Sequence, residues 1–95
     1  MIDAIGSIIA ADARVRKVIL FGSRAKGSWR EGSDIDLAVY GDDLGRSDAA
    51  RWADELEEAL FPWSIDVVVV DNEVDPDLRA HIERAGRVIF SRDKQ

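Results

Sequence analysis

The most informative part of this sequence is GSRAKGSWREGSDIDL, residues 22–37. It follows a short run rich in branched apolar residues, Val15 to Phe21, which is typical of a β-strand and ends at Gly22-Ser23. Residues 23–33 are polar and punctuated by glycine, so we expect a short helix at their start and a loop after it. From Asp34 to Tyr40 apolar residues alternate with others, which predicts a second strand.

Gly22 and Ser23 lie where a strand passes into a helix start. Backbone N–H groups at such a position lack helical partners, glycine permits close approach, and a serine hydroxyl adds a donor. This combination suits a phosphate group. Ser23 could equally be the N-cap of the short helix, and the two roles are compatible.

Asp34 and Asp36 are two residues apart on one strand, so their side chains share a face. Two carboxylates that close repel each other unless a cation lies between them, which is the arrangement that a hard divalent ion prefers. The alternative is that they mark the solvent-exposed face of an edge strand.

Asp66 lies in an otherwise apolar segment, on the face opposite Ile65 and Val67. If its strand neighbours the second strand, Asp66 faces the same side as Asp34 and Asp36. Three carboxylates and a phosphate-binding turn would form a site for Mg²⁺-nucleotide chemistry. A purely structural role for Asp66 is the alternative, although an acid among valines is costly to bury without a partner.

The remaining pattern completes an α/β (α+β) fold of order αβαβαβα(β), with helices packed on a small mixed or parallel sheet. The predicted helices run from Ile2 to Ala13, from an N-cap at Ser47 until Pro62 stops the helix, and from Pro76 to Ala85. The last begins after Asp75 as N-cap and is followed by Gly86 as a left-handed C-terminal residue. The middle helix carries an apolar stripe of Ala49, Trp52, Ala53, Leu56 and Leu60. The predicted strands are completed by Ser64 to Val70, whose valines suggest burial on both faces, and by a short edge strand from Val88 to Phe90.

Length and composition limit the classes of function that the chain can have. Ninety-five residues predict a single domain, residues 1–95. A net charge of -6 argues against direct nucleic-acid binding and favours a basic protein partner. The absence of cysteine excludes thiolate chemistry, and with a single histidine, His81, any metal must be held by carboxylates. His81 itself is expected at the surface or the core boundary.

No apolar run spans a bilayer and no signal peptide precedes the first helix, so we expect a cytoplasmic protein without a membrane partner.

A Gly-Ser pair, ten further residues and then Asp-x-Asp resembles the signature of the polymerase-beta-type nucleotidyltransferase superfamily. GSRAKG followed by SDIDL is similar to its minimal nucleotidyltransferase (MNT) branch, and the resemblance covers nearly the whole chain. It implies that Gly22 and Ser23 hold the phosphates of ATP, with Arg24 and Lys26 as further phosphate contacts. It also implies that Asp34, Asp36 and Asp66 form the catalytic and metal-binding cluster for Mg²⁺, with two ions, and that Asp66 helps to activate an acceptor hydroxyl.

The same resemblance implies a biological role. The MNT branch is similar to the antitoxin half of HEPN/MNT toxin–antitoxin modules, in which AMP passes from ATP to a tyrosine of the HEPN toxin. The chain has no residues left for an acceptor domain, so the acceptor is expected on another protein, a HEPN toxin encoded by an adjacent gene. Two alternatives remain open: a nucleotide-binding antitoxin that neutralises its toxin by complex formation, and a small-molecule nucleotidyltransferase.

Overall fold

The fold is a mixed sheet with helices on both faces, described by a computed structural model that covers residues 2–21, 34–71 and 74–92. In these residues the elements are α1 (Ile2–Ala10), β1 (Val15–Phe21), β2 (Asp34–Gly41), α2 (Arg46–Ala59), β3 (Ser64–Val69), α3 (Pro76–Ala85) and β4 (Arg87–Ser91). The predicted fold class is confirmed. The helix expected at the start of residues 23–33 lies outside the described residues.

The sheet has the strand order β3-β2-β1-β4. β1 pairs antiparallel with β2 and with β4, whereas β2 and β3 are parallel and are joined through α2. The second and third strands are therefore neighbours, which was the condition for Asp66 to share a face with the acids of β2. This connection is the β-α-β crossover that parallel strands require.

The two faces of the sheet bury two separate clusters. Ile35, Leu37 and Val39 of β2 pack with α1 and α2, where Trp52 is 1% exposed. Ala38, on the opposite face, packs with Ile82 of α3. The alternation predicted for β2 therefore separates the helices that cover the sheet.

Four local predictions are wrong. α1 ends at Ala10 rather than Ala13, because the chain turns there and the carboxylate of Asp12 accepts hydrogen bonds from Arg14. α2 begins at Arg46 with Gly45, not Ser47, as its N-cap, because the Asp48 carboxylate accepts a hydrogen bond from the Gly45 N–H at 2.9 Å.

The other two wrong predictions concern β3 and the residue that follows α3. β3 is an edge strand, so Val67, Val68 and Val69 are half-buried rather than covered on both faces. Gly86 does end α3, but in an extended conformation with φ of -80°. Glycine is needed there for space, because a Cβ would collide with the Ile19 side chain and the Ile82 carbonyl.

Candidate active site

Asp36 and Asp66 are direct neighbours in the sheet. β2 and β3 run parallel, and their Cα register pairs Asp36 with Asp66. Side chains at paired positions of adjacent strands project from the same face, and the strands are about 4.8 Å apart. Asp36 is half-buried and Asp66 is exposed. The structure therefore brings together two carboxylates that are 30 positions apart in the chain.

The two acids share the face of the sheet that α3 covers. Two residues further along each strand, Ala38 and Val68 pack with the Ile82 cluster. The acids thus lie at the beginnings of β2 and β3, beside the apolar cluster formed with α3. Alternation alone places them there, because every second residue of a strand returns to the same face.

β1 ends next to the first of these acids. Phe21, the last residue of β1, is the Cα partner of Asp36 across the antiparallel pair. The predicted phosphate-binding residues Gly22, Ser23, Arg24 and Lys26 follow it directly and lie outside the described residues. The last described residue of β1 therefore lies beside Asp36.

Asp34 begins β2 and its backbone is paired in register with Ser64. Its side chain lies outside the described part of the chain, so its place in the acid cluster stays a prediction. Among the side chains that are described, no group of three acidic or histidine residues is close enough to hold a metal ion. Asp36 and Asp66 supply carboxylate oxygens, the ligand type that Mg²⁺ prefers.

His81 approaches this region from α3. Its ring meets Phe21 edge to face, with centroids 6.3 Å apart and planes at 82°. The side chain is half-buried, which confirms the predicted position at the core boundary. Helical spacing in the sequence cannot show that His81 contacts β1.

A groove of about 510 Å³ adjoins Asp66 and was not predicted. It follows β3 and the facing side of α2, and its lining includes Asp66, Val67, Val69 and three alanines, Ala49, Ala50 and Ala53. Ala49 and Ala53 had been placed in the apolar stripe of the middle helix. They are only half-buried and line the groove, whereas Trp52 and Leu56 fill the core.

A smaller cavity of about 340 Å³ lies at the opposite end of β2, lined by Tyr40, Gly41, Val70, Asp71 and Arg79. Burial raises the pKa of the Tyr40 hydroxyl, and the nearby Glu83 carboxylate raises it further. The hydroxyl oxygen is buried without a hydrogen-bond partner among the described residues. Tyr40 is four residues along the strand from Asp36, about 13 Å away, so this cavity is separate from the acid pair.

Comparison with known proteins places these features in a family. The sequence profile of the family described as "Polymerase beta, Nucleotidyltransferase" matches residues 3–95. A curated protein of Methanocaldococcus jannaschii, named as a candidate protein adenylyltransferase, is 55% identical over 29 residues. That stretch is 30% of this chain and spans 29% of the relative, less than a third of its length.

Solved structures show the same fold. A toxin–antitoxin crystal structure with AMP-PNP superposes with a TM-score of 0.85 at 23% identity, covering 97% of this chain and 74% of that one. A MntA–HepT toxin–antitoxin structure gives 0.76 at 22% identity, with 96% and 70% covered. A tri-AMPylated Shewanella oneidensis HEPN toxin in complex with MNT antitoxin gives 0.70 at 21% identity, with 97% and 74% covered. In this chain's described residues, no helix has the length and apolar character needed to cross a membrane.

Proposed function

The chain belongs to the polymerase beta nucleotidyltransferase family, and on that premise we propose that it is a Mg²⁺-dependent protein adenylyltransferase. It transfers AMP from ATP to a hydroxyl, a tyrosine in the first instance, of a HEPN toxin, and so acts as the antitoxin of a cytoplasmic pair. The observation that carries this proposal is the register pairing of Asp36 with Asp66. Two carboxylates on one face, beside the exit of β1, are the arrangement that metal-assisted phosphoryl chemistry needs.

The donor set fits magnesium. Asp36 and Asp66 offer oxygen ligands from adjacent strands, and Asp34 is the third candidate. Bound there, Mg²⁺ would neutralise charge on the triphosphate and stabilise the attacking and leaving oxygens. Gly22 and Ser23, with Arg24 and Lys26, are the candidates for holding the phosphates, because they continue the chain from Phe21 beside Asp36.

The reaction replaces one oxygen substituent on the α-phosphorus by another and moves one proton. The acceptor oxygen bonds to the α-phosphorus of ATP, and the bond from that phosphorus to the oxygen bridging to the β-phosphate breaks, so pyrophosphate leaves. The hydroxyl proton must pass to a base as the new bond forms. Asp66 is the better candidate for that base, because it is the more exposed of the paired acids and lies on the edge strand.

A protein acceptor is supported by two observations. One solved structure that contains a chain of this fold is the complex of an MNT antitoxin with a tri-AMPylated HEPN toxin. The net charge of -6 suits a basic protein partner better than a nucleic acid.

Intact-mass spectrometry tests the proposal directly. The product of the adjacent gene is incubated with the chain, ATP and Mg²⁺, and the expected result is a mass gain of one or more AMP units. Asp36→Asn should lower the rate about a hundredfold or more, because it removes a carboxylate ligand of the Mg²⁺ that would stabilise negative charge in the transition state. Asp54→Asn, an exposed acid on α2, makes the same chemical change away from the site and should leave the rate unchanged.

Two results would contradict the proposal. Undiminished transfer by the Asp36→Asn variant would remove the acid pair from the mechanism. A stable complex without any mass gain would favour the alternative in which the chain neutralises its partner by binding alone.

A further inference from the structure

The outer edge of β3 offers main-chain hydrogen-bonding groups beside the candidate active site. Within the described residues, β2 is the strand that pairs with β3, and β3 ends the sheet. The Val70 N–H donates to the Val39 carbonyl of β2 at 2.9 Å, so Val70 and every second residue before it face β2. Ile65, Val67 and Val69 therefore direct their N–H and C=O groups away from the sheet.

The first of these positions is already occupied. The Ile65 N–H donates to Oε2 of Glu57 on α2 at 3.0 Å, which confirms that this register position points outward. A carboxylate that covers an exposed N–H is one way in which proteins protect sheet edges. Val67 and Val69 are the next outward positions, and both line the groove of about 510 Å³.

The groove has the dimensions of an extended peptide. Its strand side runs from Ile65 to Val69, about 13 Å at the rise of a β-strand, which matches about four or five residues. Its helix side is formed by Ala49, Ala50 and Ala53, whose small side chains leave the space between α2 and the edge open. A strand added to β3 would find main-chain partners at Val67 and Val69 and apolar contacts on the alanines.

One end of this groove is the candidate active site. Asp66 lies in the groove lining and is also the register partner of Asp36. We propose that an extended, basic segment of the acceptor protein adds to the outer edge of β3 and so delivers its hydroxyl to Asp66. This inference rests on the proposed function and identifies how its protein substrate is held.

The charge of the groove favours a basic segment of the acceptor protein over a second copy of this chain. The groove lining includes two acids, Asp66 and Asp71, and one base, Arg46, within a chain of net charge -6. Pairing of two β3 edges would bring two copies of this acidic lining together, each from a chain of net charge -6. Two surfaces of like charge repel each other, whereas a basic segment gains from the same acids.

Amide hydrogen exchange gives the most direct test. We expect the Val67 and Val69 amide protons to exchange at least about tenfold more slowly when the chain is bound to the adjacent gene's product, because strand addition pairs them. The Ile65 amide, which Glu57 already covers, serves as the internal reference. Unchanged exchange at Val67 and Val69 in a saturated complex would overturn the proposal. Protection that appears in the chain alone and rises with its concentration would assign the edge to a second copy and would overturn it too.

Two variants test the same edge by affinity. Val67→Pro deletes one outward N–H without touching the bonds to β2, and proline is tolerated on an edge strand at such a position. Ala50→Arg fills the groove, and Ala59→Arg introduces the same charge at an exposed position of the same helix outside it. Val67→Pro and Ala50→Arg should each weaken the complex about tenfold by calorimetry, with Ala59→Arg unchanged.

The readouts separate this proposal from the proposed function. Binding of AMP-PNP with Mg²⁺ should be the same in wild type, Val67→Pro and Ala50→Arg, which also verifies that the variants fold. AMP transfer without slower amide exchange at Val67 and Val69 would support the proposed transferase activity and contradict docking at the β3 edge. Slower amide exchange at these residues without AMP transfer would support docking at the β3 edge and contradict the proposed transferase activity.

Discussion

The guanidinium of Arg14 lies 2.9 Å from a carboxylate oxygen of Asp48 and 2.7 Å from one of Asp12. One side chain thereby joins the turn before β1 to the first turn of α2. Asp48 also accepts the Gly45 N–H, so the same carboxylate caps the helix. Asp12, Arg14 and Asp48 are all half-buried in this network.

The network predicts a pH dependence of stability. Hydrogen bonds from the Arg14 side chain, and then from its backbone N–H, lower the pKa of Asp12 from 3.8 to about 2. Because the pKa is lower in the folded state, this stabilisation is complete above about pH 4 and is lost as the pH falls from 3.8 to about 2. Asp12→Asn should flatten the fall of the free energy of unfolding in that range, measured by urea titration at several pH values. The same flattening in Asp54→Asn would show that Asp12 is not its source.

Metal dependence gives a second prediction. Chelation with EDTA should abolish AMP transfer, and excess Mg²⁺ should restore it, because the acids alone cannot neutralise the triphosphate charge. Asp66→Asn should lower the transfer rate strongly while leaving the thermal unfolding midpoint almost unchanged, since the side chain is exposed. Transfer that persists in EDTA would contradict the assignment of Asp36 and Asp66 to a metal site.

The edge contact of Glu57 can be tested by stability alone. Glu57→Ala removes the acceptor of the Ile65 N–H and should lower the free energy of unfolding by about 1 kcal/mol. Glu57→Gln keeps an oxygen at that position and should recover most of the loss. Glu58→Ala, at the adjacent exposed position, controls for helix propensity; an equal loss there would mean that the hydrogen bond contributes nothing.

Two glycines should respond in opposite directions to alanine. At Gly86 a Cβ collides with Ile19 and with the Ile82 carbonyl, so Gly86→Ala should destabilise by about 1–3 kcal/mol. At Gly6, inside α1, a Cβ meets nothing within 4 Å. Gly6→Ala should therefore stabilise by about 0.5–1 kcal/mol through helix propensity. Urea unfolding of both variants checks the pair. A Gly86→Ala variant as stable as wild type would refute the packing argument, and a destabilised Gly6→Ala variant would refute the propensity argument.

The sequence predicted elements best where a local signal marks each end. β1 and α3 have the expected bounds, because Gly22 follows one and the Asp75-Pro76 pair begins the other, with the Asp75 side chain accepting the Asp77 N–H. The start of α2 was misplaced because Asp48, held by Arg14, favours Gly45 over Ser47 as the cap. That contact spans 34 positions and has no local signature.

The candidate site was predicted in part for the same reason. Alternation showed which face Asp36 and Asp66 would take, but their alignment needed the order of strands in space, which periodicity does not contain. The groove could not be predicted, since alanines in a helix stripe are equally compatible with a core. Gly22, Ser23, Arg24, Lys26 and the Asp34 side chain stay predictions.

The parallel register of β2 and β3 makes the acid pair sensitive to a single insertion. A slip of one residue in β3 would turn Asp66 toward Trp52 and Leu56 and expose Ile65, which is 3% exposed in the correct register. A carboxylate among those side chains would be costly enough to disfavour the shifted fold. An insertion or deletion between α2 and β3 that shifts this register should therefore destabilise the whole fold. Burial of the hydrophobic core thus keeps Asp36 and Asp66 aligned.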